Sequence, residues 1–355
     1  MKRGTIEPES RRPAWLIVTT AVVLSFASTI PFFEIDDLWI GVDYETFFAA
    51  SRLPTFDLYA GPPFQFIYPP TAIAFTRLLG LAQFWTGFII LSICSLTAFA
   101  MTVRRASNWP TAALSLLSFP AFQCVAWGQT SMLLGAGLIA ALQSTGFRRG
   151  VIIGVLASIK PQLFLAAPFL FMARREIPTL AGTVMGGLFS MFVSVALYGP
   201  QLWIDWIFAL PDFQLSVIQW IPEASVSPVS YALNNGWPVF PFAVASIAFS
   251  AWIIMRARTI DDPLFLASVI AGTSILCSPY AVTHDCVILI PAAVTLVLRA
   301  RPSISQFPAI LIFAALALPI SMPLMLAAVA FSRGKHEPVP AQSRHVRRQP
   351  SQTHC

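Results

Sequence analysis

Residues 148–175 read RRGVIIGVLASIKPQLFLAAPFLFMARR. Two apolar pieces, 150–159 and 161–173, are interrupted by Lys160-Pro161, and an arginine pair stands at each outer end. Neither piece reaches the roughly 20 apolar residues that a spanning helix needs. A proline ends or kinks a helix. Cationic residues concentrate on one side of a membrane, so like charges at both ends place those ends together. The stretch therefore predicts a hairpin of short or broken helices with Lys160 at its far tip.

The rest of the chain fits that setting. Its 355 residues are 56% hydrophobic and 11% charged, with 29 Phe and 10 Trp, and the mean hydropathy is +0.71. A soluble domain carries about 25% charged residues. Disordered, disulfide-rich secreted and ordinary cytosolic classes are excluded. The net charge of +6 does not indicate a nucleic-acid partner, because the basic residues sit in pairs at the ends of apolar runs. Five widely spaced cysteines, Cys94, Cys124, Cys277, Cys286 and Cys355, give no disulfide framework or zinc spacing.

Uncharged runs at 14–33, 78–103, 177–204, 224–255 and 302–332 predict spans, and 106–147 is long enough for two with a break near Trp127-Gly128-Gln129. Residues 263–283 and 286–298 predict two more, meeting around His284-Asp285. The expected architecture is an all-α integral membrane protein with about 10–11 transmembrane or half-spanning helices. One membrane domain fills 1–332, and a basic, disordered tail follows at 333–355. Residues 34–67 and 200–223 are expected to carry amphipathic helices along the outer interface. In the second, Trp203, Trp206, Ile207, Leu210, Phe213 and Val217 recur at helical spacing.

With the N-terminus in the cytoplasm, alternation puts the pairs Arg104-Arg105, Arg148-Arg149 and Arg174-Arg175, with Arg256, Arg258, Arg299 and Arg301, inside. The opposite face receives ten carboxylates, among them Asp36, Asp37, Asp43, Asp205, Asp212 and Asp285. The polar groups of five distant segments gather there: Asp43, Gln129, Lys160, Asn234-Asn235 and His284. Chemistry at one membrane surface collects groups in this way, whereas a pore distributes them. Lys160 is the only lysine between residues 2 and 335. A charge at membrane depth marks a functional candidate, against the alternative of snorkelling to the surface. His284 is the only histidine outside the tail, and its alternative is a buried imidazole bonded to a carbonyl. Gln129 could equally cap a helix. Position alone does not separate Asp43 from Asp36 and Asp37. No soluble-enzyme motif is present, and no metal or cofactor is implied.

The ordered set Gly41-Val42-Asp43-Tyr44, Leu58-Tyr59, Tyr68-Pro69-Pro70, Trp127-Gly128-Gln129, Lys160-Pro161-Gln162, Ser278-Pro279-Tyr280 and His284-Asp285 resembles glycosyltransferase family 87. These are bacterial polyprenyl-phosphate-sugar-dependent membrane enzymes with the GT-C fold, mannosyltransferases among them. Leu53-Pro54-Thr55-Phe56 departs from the family pattern in a loop expected to shape the acceptor site. The resemblance implies transfer of a hexose, mannose in the first instance, from a polyprenyl-phosphate donor to an envelope lipid or glycan. It implies a multi-pass protein of the bacterial inner (plasma) membrane with its active site on the periplasmic face. It places the catalytic aspartate at Asp43. Lys160 is then expected at the donor phosphate and His284 at the phosphate or the sugar, with Gln129, Tyr44, Tyr68 and Asn235 as further substrate contacts. A phosphate leaving group needs no general acid, so one carboxylate base suffices for an inverting attack. A transporter or flippase of a lipid-linked sugar would also use broken helices and a buried lysine. It would want polar groups on both faces, and a purely structural membrane protein would not gather them at one.

Overall fold

The computed structural model describes residues 40–59, 66–220 and 226–299. The expected spans at 14–33 and 302–332, and the tail at 333–355, lie outside the described residues. The described chain is all-helical and contains no strand. Helix α1 is Val42–Arg52 and α2 is Ile73–Leu79. They are followed by α3 Phe84–Ala106, α4 Trp109–Leu116, α5 Phe119–Trp127, α6 Ser131–Leu142 and α7 Gly146–Ile159. Next come α8 Ala167–Ala173, α9 Ile177–Tyr198, α10 Gln201–Trp220, α11 Pro228–Asn234, α12 Val239–Ala257, α13 Pro263–Cys277 and α14 Ile290–Arg299. Among the described residues, three helices, α3, α9 and α12, are long and apolar enough to cross a membrane. Their outward residues, such as Ile90 and Ile93 on α3, Phe189 and Phe192 on α9, and Phe240 and Ile247 on α12, are exposed. So much contiguous apolar surface belongs in lipid.

Two expectations are corrected. The run 106–147 is not two spans. Asn108 and Ser118 each accept a backbone N–H and start a new helix, with a proline inside the first turn of each. Three short helices result, and α5 and α6 meet at a bend of 120°. Gly128 makes that bend in a left-handed conformation, φ 74°. A Cβ there would press on Tyr44 and on the Phe88 ring. Residues 263–283 are not one full span either. Helix α13 has 15 residues, starts at the Asp262 cap, and is buried on every side from Leu264 to Leu276. A helix apolar all round is a core helix. It packs against the 3₁₀ turn Thr283–Leu289, which is equally buried, and 10-residue α14 follows.

The hairpin of 148–175 forms as expected. Helix α7 stops at Lys160, Pro161 opens a 3₁₀ turn, and α8 returns. At 1.5 Å per residue, the arginine end of α7 lies about 20 Å from Lys160. Ion pairs close the arginine end. Arg149 and Arg174 both hold Glu176, at 2.9 and 2.6 Å, and Arg174 also reaches Asp261 at 2.9 Å.

Helix α9 lies against α7 with no side chains between. A Cβ on Gly150 or Gly154 would fall onto the Thr179 or Thr183 carbonyl, and one on Gly182 or Gly186 onto that of Phe147 or Val151. Each helix therefore carries a glycine pair at four-residue spacing, which lets backbones approach where hydrophobic burial cannot drive association. Gly187, one residue on, meets nothing nearer than 3.9 Å. Gly186→Ala is expected to lower the unfolding midpoint in detergent by the equivalent of about 1–3 kcal/mol. Gly187→Ala should be neutral or stabilising by up to about 1 kcal/mol. Equal effects from the two would show that the helix backbones are not in contact.

Candidate functional site

Chain breaks converge at one end of the bundle. The Gly41 N–H donates to the Ala126 carbonyl at 2.7 Å, which docks the start of α1 against the end of α5. Asp43, in the first turn of α1, thereby comes beside Gln129 in the α5–α6 bend. Lys160 follows the last turn of α7, where the helix dipole favours a cation. His284 and Asp285 come from the 3₁₀ turn after α13. Tyr68 precedes Pro69-Pro70; its carbonyl accepts from the Tyr59 hydroxyl at 2.8 Å, and the neighbouring Ile67 carbonyl accepts from Trp206 Nε1 at 2.8 Å.

Asp43, Tyr68, Gln129, Lys160, His284 and Asp285 all line one cleft, with Gln162 and the aromatic side chains of Trp206, Phe213 and Tyr280. The cleft encloses about 890 Å³ of space outside protein atoms, its mouth included. Phe213 and Tyr280 meet edge to face at 5.7 Å and form part of its wall.

The interior is a connected polar network. Lys160 Nζ donates to Asp285 Oδ1 at 2.6 Å and to Ser131 Oγ at 2.8 Å. Ser131 donates to the same Asp285 oxygen at 2.6 Å. Gln129 Oε1 lies 3.5 Å from Lys160 Nζ and 3.3 Å from the Tyr68 hydroxyl. His284 Nε2 is 3.6 Å from Asp285 Oδ1, and the imidazole stands edge-on to Trp127. Lys160 is 4% exposed, so it does not snorkel.

Two buried polar atoms of residues that line the cleft, Asp43 Oδ2 and His284 Nδ1, have no hydrogen-bond partner among the described residues. Such atoms are uncommon in folded proteins and call for a ligand or water. Burial pushes the Asp43 carboxyl up to about 6, reinforced by Asp285 and opposed by Gln129 and Lys160. Burial likewise pushes His284 down to about 3, so its imidazole is neutral at pH 7.

Five of the seven residues singled out from sequence meet in the cleft, and two do not. Tyr44 is fully buried on the far side of α1, where its hydroxyl donates to the Leu79 carbonyl and its ring packs among Phe48, Phe84 and Phe88. Asn235 is exposed and donates to the Tyr231 carbonyl in its own helix end. Missing from the sequence reading were Asp285 as the partner of Lys160, and Ser131.

The chain matches the model of glycosyltransferase family 87 over residues 66–279, more than half its length. It belongs to that family. No curated protein and no solved structure matches it. This family 87 member is therefore a membrane-embedded glycosyltransferase. The matched region contains Tyr68, Gln129, Ser131 and Lys160; Asp43, His284 and Asp285 lie beyond its two ends.

Breaking a buried ion pair from one side leaves an uncompensated charge, whereas removing both charges costs much less. Lys160→Met alone is expected to lower stability by about 3–5 kcal/mol. Adding Asp285→Asn should recover more than half of that loss, read from unfolding in detergent. A double variant no more stable than the single one would mean that the pair does not organise this end of the bundle.

Proposed function

We propose that the protein transfers a hexose, mannose in the first instance, from a polyprenyl-phosphate donor to an envelope lipid or glycan on the periplasmic face of the bacterial inner membrane. One observation carries the proposal. A carboxylate oxygen with no partner, Asp43 Oδ2, shares a cleft with a buried ammonium, Lys160, and Gln129 lies between them. That is the pairing that displacement at a phosphate-activated sugar requires. Asp43 Oδ2 takes the proton of an acceptor hydroxyl, and the hydroxyl oxygen attacks the anomeric carbon. The bond from that carbon to the phosphate oxygen breaks, and polyprenyl phosphate leaves with the electron pair. Attack from the face opposite the leaving group inverts the anomeric centre.

Charge grows on the leaving phosphate, where a fixed cation lowers the barrier; Lys160 is placed for that. Neutral His284, with a free acceptor nitrogen, suits a sugar hydroxyl better than an anionic phosphate oxygen. Tyr68 completes the phosphate side of the donor pocket, and Gln129 is placed in this reading at a sugar hydroxyl. The arginine pairs, at the other end of the α7–α8 hairpin, would face the cytoplasm, where nucleotide sugars reside. That favours a lipid-linked donor for a site at the far end.

Purified protein supplied with synthetic polyprenyl-phosphate sugars and membrane extract tests the proposal, with transfer of labelled sugar as the readout. No transfer from any such donor would overturn it. A base whose proton is held up to about 6 is ionised, and active, above that pH. The kcat/KM profile is therefore expected to rise through about pH 6 and level off above it. Asp43→Asn should reduce transfer on the order of a hundredfold or more and leave donor binding in place. Near-normal turnover by that variant, or an equal loss in Asp36→Asn, would move the base elsewhere.

A further inference from the structure

An ammonium group has three N–H donors, and Lys160 has three acceptors around it. Two are close, Asp285 Oδ1 at 2.6 Å and Ser131 Oγ at 2.8 Å. Ser131 binds the same Asp285 oxygen, so the three groups form a closed triangle. The third acceptor, Gln129 Oε1, is distant at 3.5 Å, and it is also the acceptor of the Tyr68 hydroxyl at 3.3 Å. Two donors from separate elements thus converge loosely on one amide oxygen. Both donors, and Gln129 itself, line the cleft.

Resting on the reading that Lys160 meets the donor phosphate, we propose that Asp285 and Ser131 are positioning residues. They hold two of the three Lys160 N–H groups, so that the third, with the Tyr68 hydroxyl, forms an oxyanion subsite. Gln129 Oε1 occupies that subsite until a phosphate oxygen displaces it. Geometry supports the assignment, because the two close contacts to Lys160 are short and charge-assisted, while those to Gln129 Oε1 are long and weak.

The titratable groups facing Lys160 are Asp285, Tyr68, Cys124, Asp43, His284 and Tyr280. Of these, Asp285 alone pairs its charge directly with the ammonium. Burial, the largest single influence, would strip the lysine of its proton at lower pH; Asp285, the foremost of the opposing groups, together with Tyr68 and Cys124 holds the ammonium above the ordinary lysine range. Loss of the Asp285 charge should therefore release the proton early, an effect that a packing role would not produce.

The chain has three lysines, Lys2, Lys160 and Lys335, so ¹³Cε-lysine labelling in detergent gives a spectrum of three signals, with Lys160 identified by its absence from Lys160→Met. In the wild type, the Lys160 signal is expected to stay protonated while the other two titrate. In Asp285→Asn its midpoint should fall below theirs by about two pH units or more. Lys160 remaining protonated in that variant would overturn the clamp. Farnesyl phosphate, an anion without sugar, should shift the wild-type Lys160 signal. It should bind Ser131→Ala about tenfold more weakly and Gln129→Ala at least as tightly as wild type. Unchanged binding to Ser131→Ala overturns the clamp even if Asp285→Asn does not fold, and weaker binding to Gln129→Ala overturns the placeholder. A normal Lys160 titration with no response to farnesyl phosphate would instead overturn the donor-phosphate reading and its subsite, while the clamp stands.

Discussion

A lysine ammonium buried in an apolar bundle must find acceptors for its protons, and that requirement fixes how four chain segments meet. Lys160 ends α7, Ser131 begins α6, Asp285 lies in the turn after α13, and Gln129 ties the cluster to Tyr68. None of these segments is a full-length span. Each is a break, where backbone geometry lets a side chain leave the helical surface and reach inward. An unpaired charge at this depth would cost several kcal/mol. The broken helices therefore cannot slide relative to one another without losing the pair.

The glycine contact between α7 and α9 and the ion pairs around Glu176 serve the same end from a distance. Backbone-to-backbone packing leaves α7 little freedom to rotate, because any rotation drives side chains into the Thr179 or Thr183 carbonyl. Arg149 and Arg174 pin the opposite end of the hairpin to Glu176 and Asp261. Lys160 is thus delivered to its partners by a rigid rod about 20 Å long, and the polar cleft inherits that rigidity.

What could be read from the sequence was what is local. Lys160-Pro161 between two apolar pieces announces a broken helix, and the break at Trp127-Gly128-Gln129 follows from a glycine beside polar residues. The pairing of Asp285 with Lys160 was not legible because the two are 125 residues apart, and no periodicity records a contact of that range. Tyr44 was misplaced for a geometric reason. Successive residues on a helix point about 100° apart, so the neighbour of a cleft aspartate faces away from the cleft. Asn235 sits at a helix end, where its amide satisfies its own backbone. The run 106–147 was long enough for two spans, and only the caps at Asn108 and Ser118 divide it further. Those caps were legible, as were the glycine pairs at four-residue spacing on α7 and α9, but apolar length outweighed them.

The wall formed by α10 carries the remaining logic. This helix was expected to present one apolar face, yet it has two. Trp206 and Phe213 line the cleft, while Ile204, Ile207 and Phe208 are exposed on its outside. Apolar residues on both faces suit a helix with packed protein on one side and lipid on the other. A helix with its side chains is about 10–12 Å across, so little more than one helix thickness separates the polar network from that exposed apolar face. A molecule with a charged head and a long apolar tail can satisfy both ends across such a wall. Its head would reach Lys160 and Asp43, and its tail would lie along Ile207 and Phe208 without entering the cleft. A nucleotide sugar, charged and polar throughout, would have no use for that outer face. On this physical ground, the placement of α10 favours a lipid-borne donor for the transfer that the family membership establishes in general terms.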